Sequence, residues 1–395
     1  MYRRTRWYRP HNRPSAGCDD MRILQVATLF SPDGLYGGPT RVALNQSAEL
    51  ACRGHEVTIA GAARGYGTLP TELNGIPAKL FAATNILRRP GFAWTYASGL
   101  TSWLRGNWRT FDTVHVHFAR DLVVMPVAEV VRGRGIPYVL QTHGMVVPTN
   151  HPLAAPLDRM WTRDILRDAR AVFFLDSVER EQLISVAGPD LRLVELGNGV
   201  PEYPTTTRLG RVPGRAPEVL FAARMHARKR PGVFVEMARE LLASGVDARF
   251  TLVGPDEGEG PALRAALGGN PRITWEGALS PDAIPARMAE ADVYVLPSVQ
   301  EPFPMSVLEA MSVGLPVVVT DDCGLAPIIE QCGCGAVTDP TVTGLVAAVS
   351  SILRDRRRAK SIGDRGREIV LERFGMRRVG DRLVSTYSDA LVGAP

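Results

Sequence analysis

The sequence predicts an α/β protein of two domains, each built on a parallel sheet, facing each other across a cleft. Three observations carry that expectation. The chain has 395 residues, enough for two cores. Its apolar segments are short, Val/Ile-rich and continuous rather than alternating, as in strands covered on both faces, and they alternate with helical patterns. The alternation breaks once, between 197 and 217, where Pro201, Pro204, Pro213 and Pro217 fall among glycines.

Residues 1–20 are rich in Arg, Tyr and Pro without periodicity, so a disordered basic extension is expected, and Met21 could be the start of the folded chain. The first domain is expected at 21–200, with strands at 22–28, 55–61, 113–117, 138–142, 171–175 and 192–196. After the first strand comes SPDGLYGGP, in which Gly37 and Gly38 precede Pro39, a residue suited to a first helical position. The helix expected at 40–53 closes on Gly54 as its C-cap. A glycine pair before a helix lets a ligand reach backbone amides, although a plain tight turn is equally consistent. The pair is not the G-x-G-x-x-G dinucleotide fingerprint, which weakens a hydride-transfer reading. A linker is expected at 201–217 and the second domain at 218–375, with strands at 219–223, 249–253, 272–275, 292–296 and 317–320. Helical segments at 355–373 and 376–391 end the chain.

Composition excludes several classes. Hydrophobic residues make up 45% and charged residues 22%, as in a soluble globular protein. No apolar run reaches the length of a membrane span, and no secretory leader is visible. Five cysteines fit a reduced cytoplasm, and Cys332-Gly-Cys334 lacks the second pair a metal site would need. A net charge of +5 suits an anionic ligand or membrane surface but does not identify nucleic acid, and no nucleic-acid partner is expected. Arg88, Arg89, Trp94, Trp103, Arg105, Trp108 and Arg109 mix aromatics with cations, so a peripheral membrane contact through the first domain competes with ordinary core and surface roles.

Chemistry concentrates after strands. Arg224, Arg228, Lys229 and Arg230 leave the first strand of the second domain, and Pro231 then starts a helix. Cations at a helix N-terminus oppose the macrodipole, and an anionic ligand would relieve the conflict. Glu301 and Glu309, spaced E-x7-E, fall in a strand-to-helix loop and the helix after it; Ser306 with Glu309 fits a capping box, placing Glu309 in the first turn. His115 and His117 end a strand, but a third metal ligand is not evident; His143 reads as structural. No D-x-D occurs, so phosphates would be neutralised by cations and helix ends rather than through a metal.

Together, Gly37-Gly38, Arg53-Gly54-His55-Glu56-Val57, His115-Val116-His117, Asn198-Gly199-Val200, Arg224 with Lys229, Leu252-Val253-Gly254 and Glu301/Glu309 resemble a family-4 glycosyltransferase of the GT-B fold, with two Rossmann-like domains. The resemblance runs from Met21 to the C-terminus. It implies a retaining, metal-independent hexosyltransferase-type enzyme without a cofactor, using a nucleotide-diphosphate sugar as donor and a sugar or lipid-linked acceptor, as in glycan, polysaccharide or glycolipid synthesis. It implies that Arg224 and Lys229 neutralise the diphosphate, Glu309 binds the ribose, Glu301 contacts the transferred sugar, Gly37 and Gly38 let their loop approach the phosphates, and His117 lies by the sugar. It also implies that the helix of 376–395 returns to the first domain. Pro304 stands where the family usually has Gly; because proline lacks an N–H, a donor contact there would shift to Met305 and Ser306. A nucleotide-sugar epimerase of the same fold and a non-catalytic nucleotide-sugar-binding subunit remain as alternatives.

Overall fold

The computed structural model describes residues 20–32, 37–85, 95–149, 154–203 and 215–392. Most of the expected extension, most of the linker, and Arg88, Arg89 and Trp94 lie outside them. The chain divides into a first unit, the described residues up to Gly199 together with those from Met376, and a second unit, Val200–Gly375.

The first unit carries β1 (Arg22–Phe30), β2 (Glu56–Ala63), β3 (Glu72–Leu73), β4 (Ile76–Asn85), β5 (Thr95–Ala97), β6 (Thr113–His117), β7 (Tyr138–Gln141), β8 (Ala171–Phe174) and β9 (Leu193–Glu195). They form one sheet in the order β3-β4-β2-β1-β6-β7-β8-β9, with β5 also on β4. Pairing is parallel except that β3 and β5 run antiparallel to β4. β1 is buried at every residue but Arg22, and its residues are apolar there except Gln25 and Thr28. One face packs Val114, Val116 and Leu140 against Val124, Val127 and Val131 of the helix Val124–Gly133. The other is covered by the helices Gly37–Cys52 and Met376–Val392, through Ala43, Leu50, Val379, Leu383 and Tyr387.

β3, β4 and β5 were not expected. β4 carries Pro77 near its start and three alanines, a composition that lacks a strand signature. The helix expected from Thr40 begins instead at Gly37, so the glycine pair forms its first turn rather than the loop before it. Arg53 proves structural: its guanidinium donates to Glu49 (2.8 Å), to Asp381 (2.6 Å) and to the Arg377 carbonyl (2.6 Å), tying the first helix to the terminal one.

The second unit carries β10 (Glu218–Ala222), β11 (Arg249–Val253), β12 (Ile273–Trp275), β13 (Val293–Leu296), β14 (Val317–Thr320) and β15 (Gly335–Thr338). Their order is β12-β11-β10-β13-β14-β15, all parallel. β15 was missed because Gly335-Ala-Val-Thr338 is short and only half-buried. The central strands β13 and β14 are wholly buried, each Val or Leu contributing about 1.5–3 kcal/mol. Among the described residues no helix is long and apolar enough to cross a membrane. Trp103 packs between Phe81 and Phe111, at 6.1 Å from each, and Trp108 lies under Arg109 (4.6 Å). Both indoles are half-buried against the core, so the aromatic members of the suggested membrane patch that are described serve packing.

Candidate functional site

In the second unit, loops at the carboxyl ends of β10, β13 and β14 are stitched together. After β10, Arg224 leads into a tight turn, Ala227–Lys229, capped by His226, whose Nδ1 accepts from the Arg228 amide at 3.1 Å. Arg230 then adopts a left-handed conformation (φ 54°) and Pro231 opens the next helix, so the three cations do stand at a helix start. They are not unbalanced there. Lys229 is ion-paired with Glu301, both side chains only 13% exposed. Arg224 donates to both oxygens of Glu257 at 2.7 and 2.8 Å. Arg228 donates to the Gln300 carbonyl, and Arg230 to those of Pro297 (3.3 Å) and Pro340 (2.8 Å). The expected electrostatic strain in a ligand-free site is therefore corrected: acidic side chains and loop carbonyls balance the cations. Nothing in the sequence singled out Glu257.

Gln300, also left-handed (φ 51°), donates its amide to Asp322 at 2.6 Å. The Gly324 amide donates to the Glu301 carbonyl (2.9 Å), and Glu301 bridges to Cys323. A Cβ at Gly324 would stand 1.8 Å from the Pro302 carbonyl oxygen, so only glycine permits this approach. Burial pushes the adjacent Cys323 thiol up to about 11.

The helix Met305–Ser312 does not start on a capping box. Pro304 is its N-cap residue, and no side chain caps it. Ser306 lies inside the helix, its hydroxyl 2.8 Å from that of Tyr294, which donates onward to the Ala222 carbonyl (3.1 Å). Proline's fixed φ and lost N–H displace the serine from the cap position. Glu309 thus falls in the second turn, and it is 8% exposed. The amides of Met305 and Ser306 fall in the first turn, where backbone N–H groups have no carbonyl four residues back within the helix.

In the first unit, Gly37 and Gly38 open the first helix, and a Cβ at Gly38 would meet nothing within 4 Å. His117 ends β6 fully buried. Its Nδ1 lies 2.8 Å from His143 Nε2 and its Nε2 2.9 Å from Gln25 Oε1. The rings of His115 and His117, and of His117 and His143, are stacked. Burial holds His117 well below its ordinary range and drives His115 and His143 down to about 3. His143 is left-handed at φ 52° and, as a whole residue, half-buried, where His115 and His117 are wholly buried. Sequence reasoning read it as structural, and the structure adds its contact with His117. Among the described residues no group of three His, Cys, Asp or Glu side chains is placed to hold a metal ion.

Comparison with known proteins accords with this arrangement. Residues 208–369 match the family model of glycosyl transferases group 1, and residues 37–199 match that of a glycosyl transferase 4-like domain. The chain is 31% identical to the 2-deoxystreptamine N-acetyl-D-glucosaminyltransferase of Streptomyces fradiae over 340 residues, 75% of this chain and 80% of that one. It is 27% identical to the alpha-D-kanosaminyltransferase of Streptomyces kanamyceticus over 65% of this chain and 71% of that one. The crystal structure of HepE from Anabaena, in complex with UDP and glucose, superposes with a TM-score of 0.71 at 20% identity, covering 93% of this chain and 99% of that one. Both of the relatives named first are glycosyltransferases by name.

Proposed function

The chain belongs to the group 1 glycosyltransferases of the GT-B fold, and from that premise we propose that it moves a sugar from a nucleotide-diphosphate donor to an acceptor hydroxyl with retention and without a metal. The observation that carries the reading is the cation pair Arg224 and Lys229 at the carboxyl end of β10, beside Glu301 and the uncapped first turn of the helix Met305–Ser312. A diphosphate leaving group gains charge as its bond to the sugar breaks, and fixed cations and amides stabilise that charge more than they stabilise the ground state.

The second unit holds the donor. Arg224 exchanges Glu257 for phosphate oxygens, and Lys229 turns from Glu301 to the diphosphate. Glu301, released, accepts hydrogen bonds from hydroxyls of the transferred sugar, and Glu309 accepts from the ribose. The amides of Met305 and Ser306 face the phosphates; those of Gly37 and Gly38, with no side chain in the way, are likewise open to a phosphate oxygen. His117 acts on the sugar through the imidazole cluster it shares with His143. The first unit holds the acceptor, a sugar or a lipid-linked sugar. The bound UDP of HepE supports a uridine nucleotide as the first donor to try. The test is transfer from a panel of nucleotide sugars after metal stripping, in excess EDTA. Full activity is expected; activity restored only by Mg²⁺ or Mn²⁺ would overturn metal independence, and consumption of donor with inverted product stereochemistry would overturn retention.

A further inference from the structure

A layer of buried polar side chains lies under the first and terminal helices of the first unit, where the opposite face of the sheet is apolar. Gln25, Gln46, His115, His117 and Tyr387 are all 0% exposed, and Gln141 is 1%. The register explains the layer: Gln25 pairs with His115 across β1 and β6, and His117 with Gln141 across β6 and β7. Four of its groups and His143 make a single chain. His115 Nδ1 lies 2.7 Å from the Tyr387 hydroxyl, Gln25 Nε2 donates to that hydroxyl at 3.4 Å, Gln25 Oε1 lies 2.9 Å from His117 Nε2, and His117 Nδ1 lies 2.8 Å from His143 Nε2.

From the amide to His143 such a chain has only two directions. A neutral imidazole has one N–H and one lone pair, and the amide has a donor end and an acceptor end. With its oxygen toward His117, Gln25 requires a hydrogen on His117 Nε2. His117 Nδ1 is then a lone pair, and His143 must donate from Nε2. On the other side the Tyr387 hydroxyl accepts from Gln25; a hydroxyl has two lone pairs and one hydrogen, so it can meet either tautomer of His115. Between Gln25, His117 and His143, reversing one bond sets two hydrogens or two lone pairs against each other in a buried layer, so these three reverse together or not at all.

We infer that Tyr387 and Gln25 are positioning residues which, from the terminal helix and β1, fix the tautomers of His117 and His143 as one unit. The inference rests on the reading of His117 as a site residue. It concerns side chains to which that reading gives no part. The Tyr387 hydroxyl anchors one end of the amide; without it Gln25 turns freely, and His117 and His143 populate both tautomers.

The experiment is imidazole ¹⁵N spectroscopy of the full chain, with resonances assigned by His→Gln variants, alongside steady-state kinetics. In the parent protein His117 and His143 should both carry their hydrogen on Nε2. Tyr387→Phe keeps the ring packed against His115 and removes only the hydroxyl. It should mix the tautomers of His117 and His143 and lower turnover by about tenfold with KM within about twofold. Gln25→Leu should give the same mixing from a different element. Hydrogen on Nδ1 of His117 or His143 in the parent protein, or unmixed tautomers in both variants, would overturn the inference. Unchanged turnover in His117→Gln would instead sink the role of His117 in the reaction, while the tautomer signals still decide the lock.

Discussion

Lys229 and Glu301 are each a charge that the fold can bury only because the other is there. Removing one partner of a poorly exposed pair leaves the remaining charge desolvated and unpaired. Lys229→Met should therefore lower stability by about 1–3 kcal/mol rather than relax the ligand-free protein, and it should cost about 10²–10³ in turnover. Adding Glu301→Gln should return most of the stability and none of the turnover. Denaturant melts and kinetics of both singles and the double settle it, and a stable Lys229→Met with normal turnover removes the pair from the site. Glu309 is tested differently. It lies in the second turn rather than at a capping-box position, and Glu309→Gln should weaken nucleotide binding by about 1–3 kcal/mol, the cost of ligand hydroxyls left without a charged acceptor. Titration calorimetry with a nucleoside diphosphate reads it directly; unchanged affinity argues against ribose contact.

At the scale of elements, the loop bearing Glu301 is held less by its own residues than by the loop after β14. Gly324 is the point of closest approach, and a Cβ there would meet the Pro302 carbonyl oxygen at 1.8 Å. Gly324→Ala should displace the Glu301 backbone and reduce turnover more than it lowers the melting temperature. A crystal structure or hydrogen exchange at 298–303 checks the displacement; an unmoved loop with full activity refutes it. The sequence showed much of this region and not all of it. The strands β1, β6, β11 and β14 were legible because Val, Ile, Leu and Phe recur in each short run, even with Gln25, Thr28, His115 and His117 among them, and the cations before Pro231 because proline marks a helix start. β4 was hidden by Pro77 and its alanines. The capping reading of Ser306 failed because a local pattern ignored its neighbour Pro304 and a tertiary partner, Tyr294. Tyr387 repeats at the spacing of Val379 and Leu383 and reads as plain core; only the packing of the terminal helix on His115 reveals its hydroxyl as a member of a polar layer. Glu257 carried no signal, since its partner Arg224 lies 33 positions away.

Over the whole molecule, the groups that titrate between neutral and mildly acidic pH are unevenly shared between the two units. His55, His115, His117 and His143 belong to the first, and burial lowers the pKa of each. A histidine held neutral in the folded state binds fewer protons than in the unfolded chain, whose value is about 6.5. Its contribution is fully present above that pH and is lost as pH falls below it, by about 1.4 kcal/mol per pH unit for each group, down towards about 3 for His115 and His143. Asp121 has the opposite sign. It is buried, accepting from the Thr28 hydroxyl at 2.7 Å, and burial raises it to about 6. It therefore adds stability as pH falls from about 6 to its unfolded value near 3.9, and Glu179, also raised by burial, adds in the same direction. Between about pH 6.5 and 6 the histidines act unopposed, and below that the two carboxyl groups offset only part of the loss. In the second unit the buried acid is Glu218. Burial alone would raise its pKa, but Arg287, Thr251 and Arg249 together outweigh burial and hold it below the ordinary carboxylate range, so its contribution is retained until the solution is more acidic than about pH 4.5. Acidification from about pH 7 to about pH 5.5 should thus loosen the first unit and leave the second unchanged. Native-state hydrogen exchange, corrected for the intrinsic pH dependence of exchange, separates them: protection should fall in β1, β6 and β7 and hold in β10, β13 and β14. Equal loss in both sheets, or loss confined to the second, would show that the buried imidazoles do not govern the acid stability of this protein.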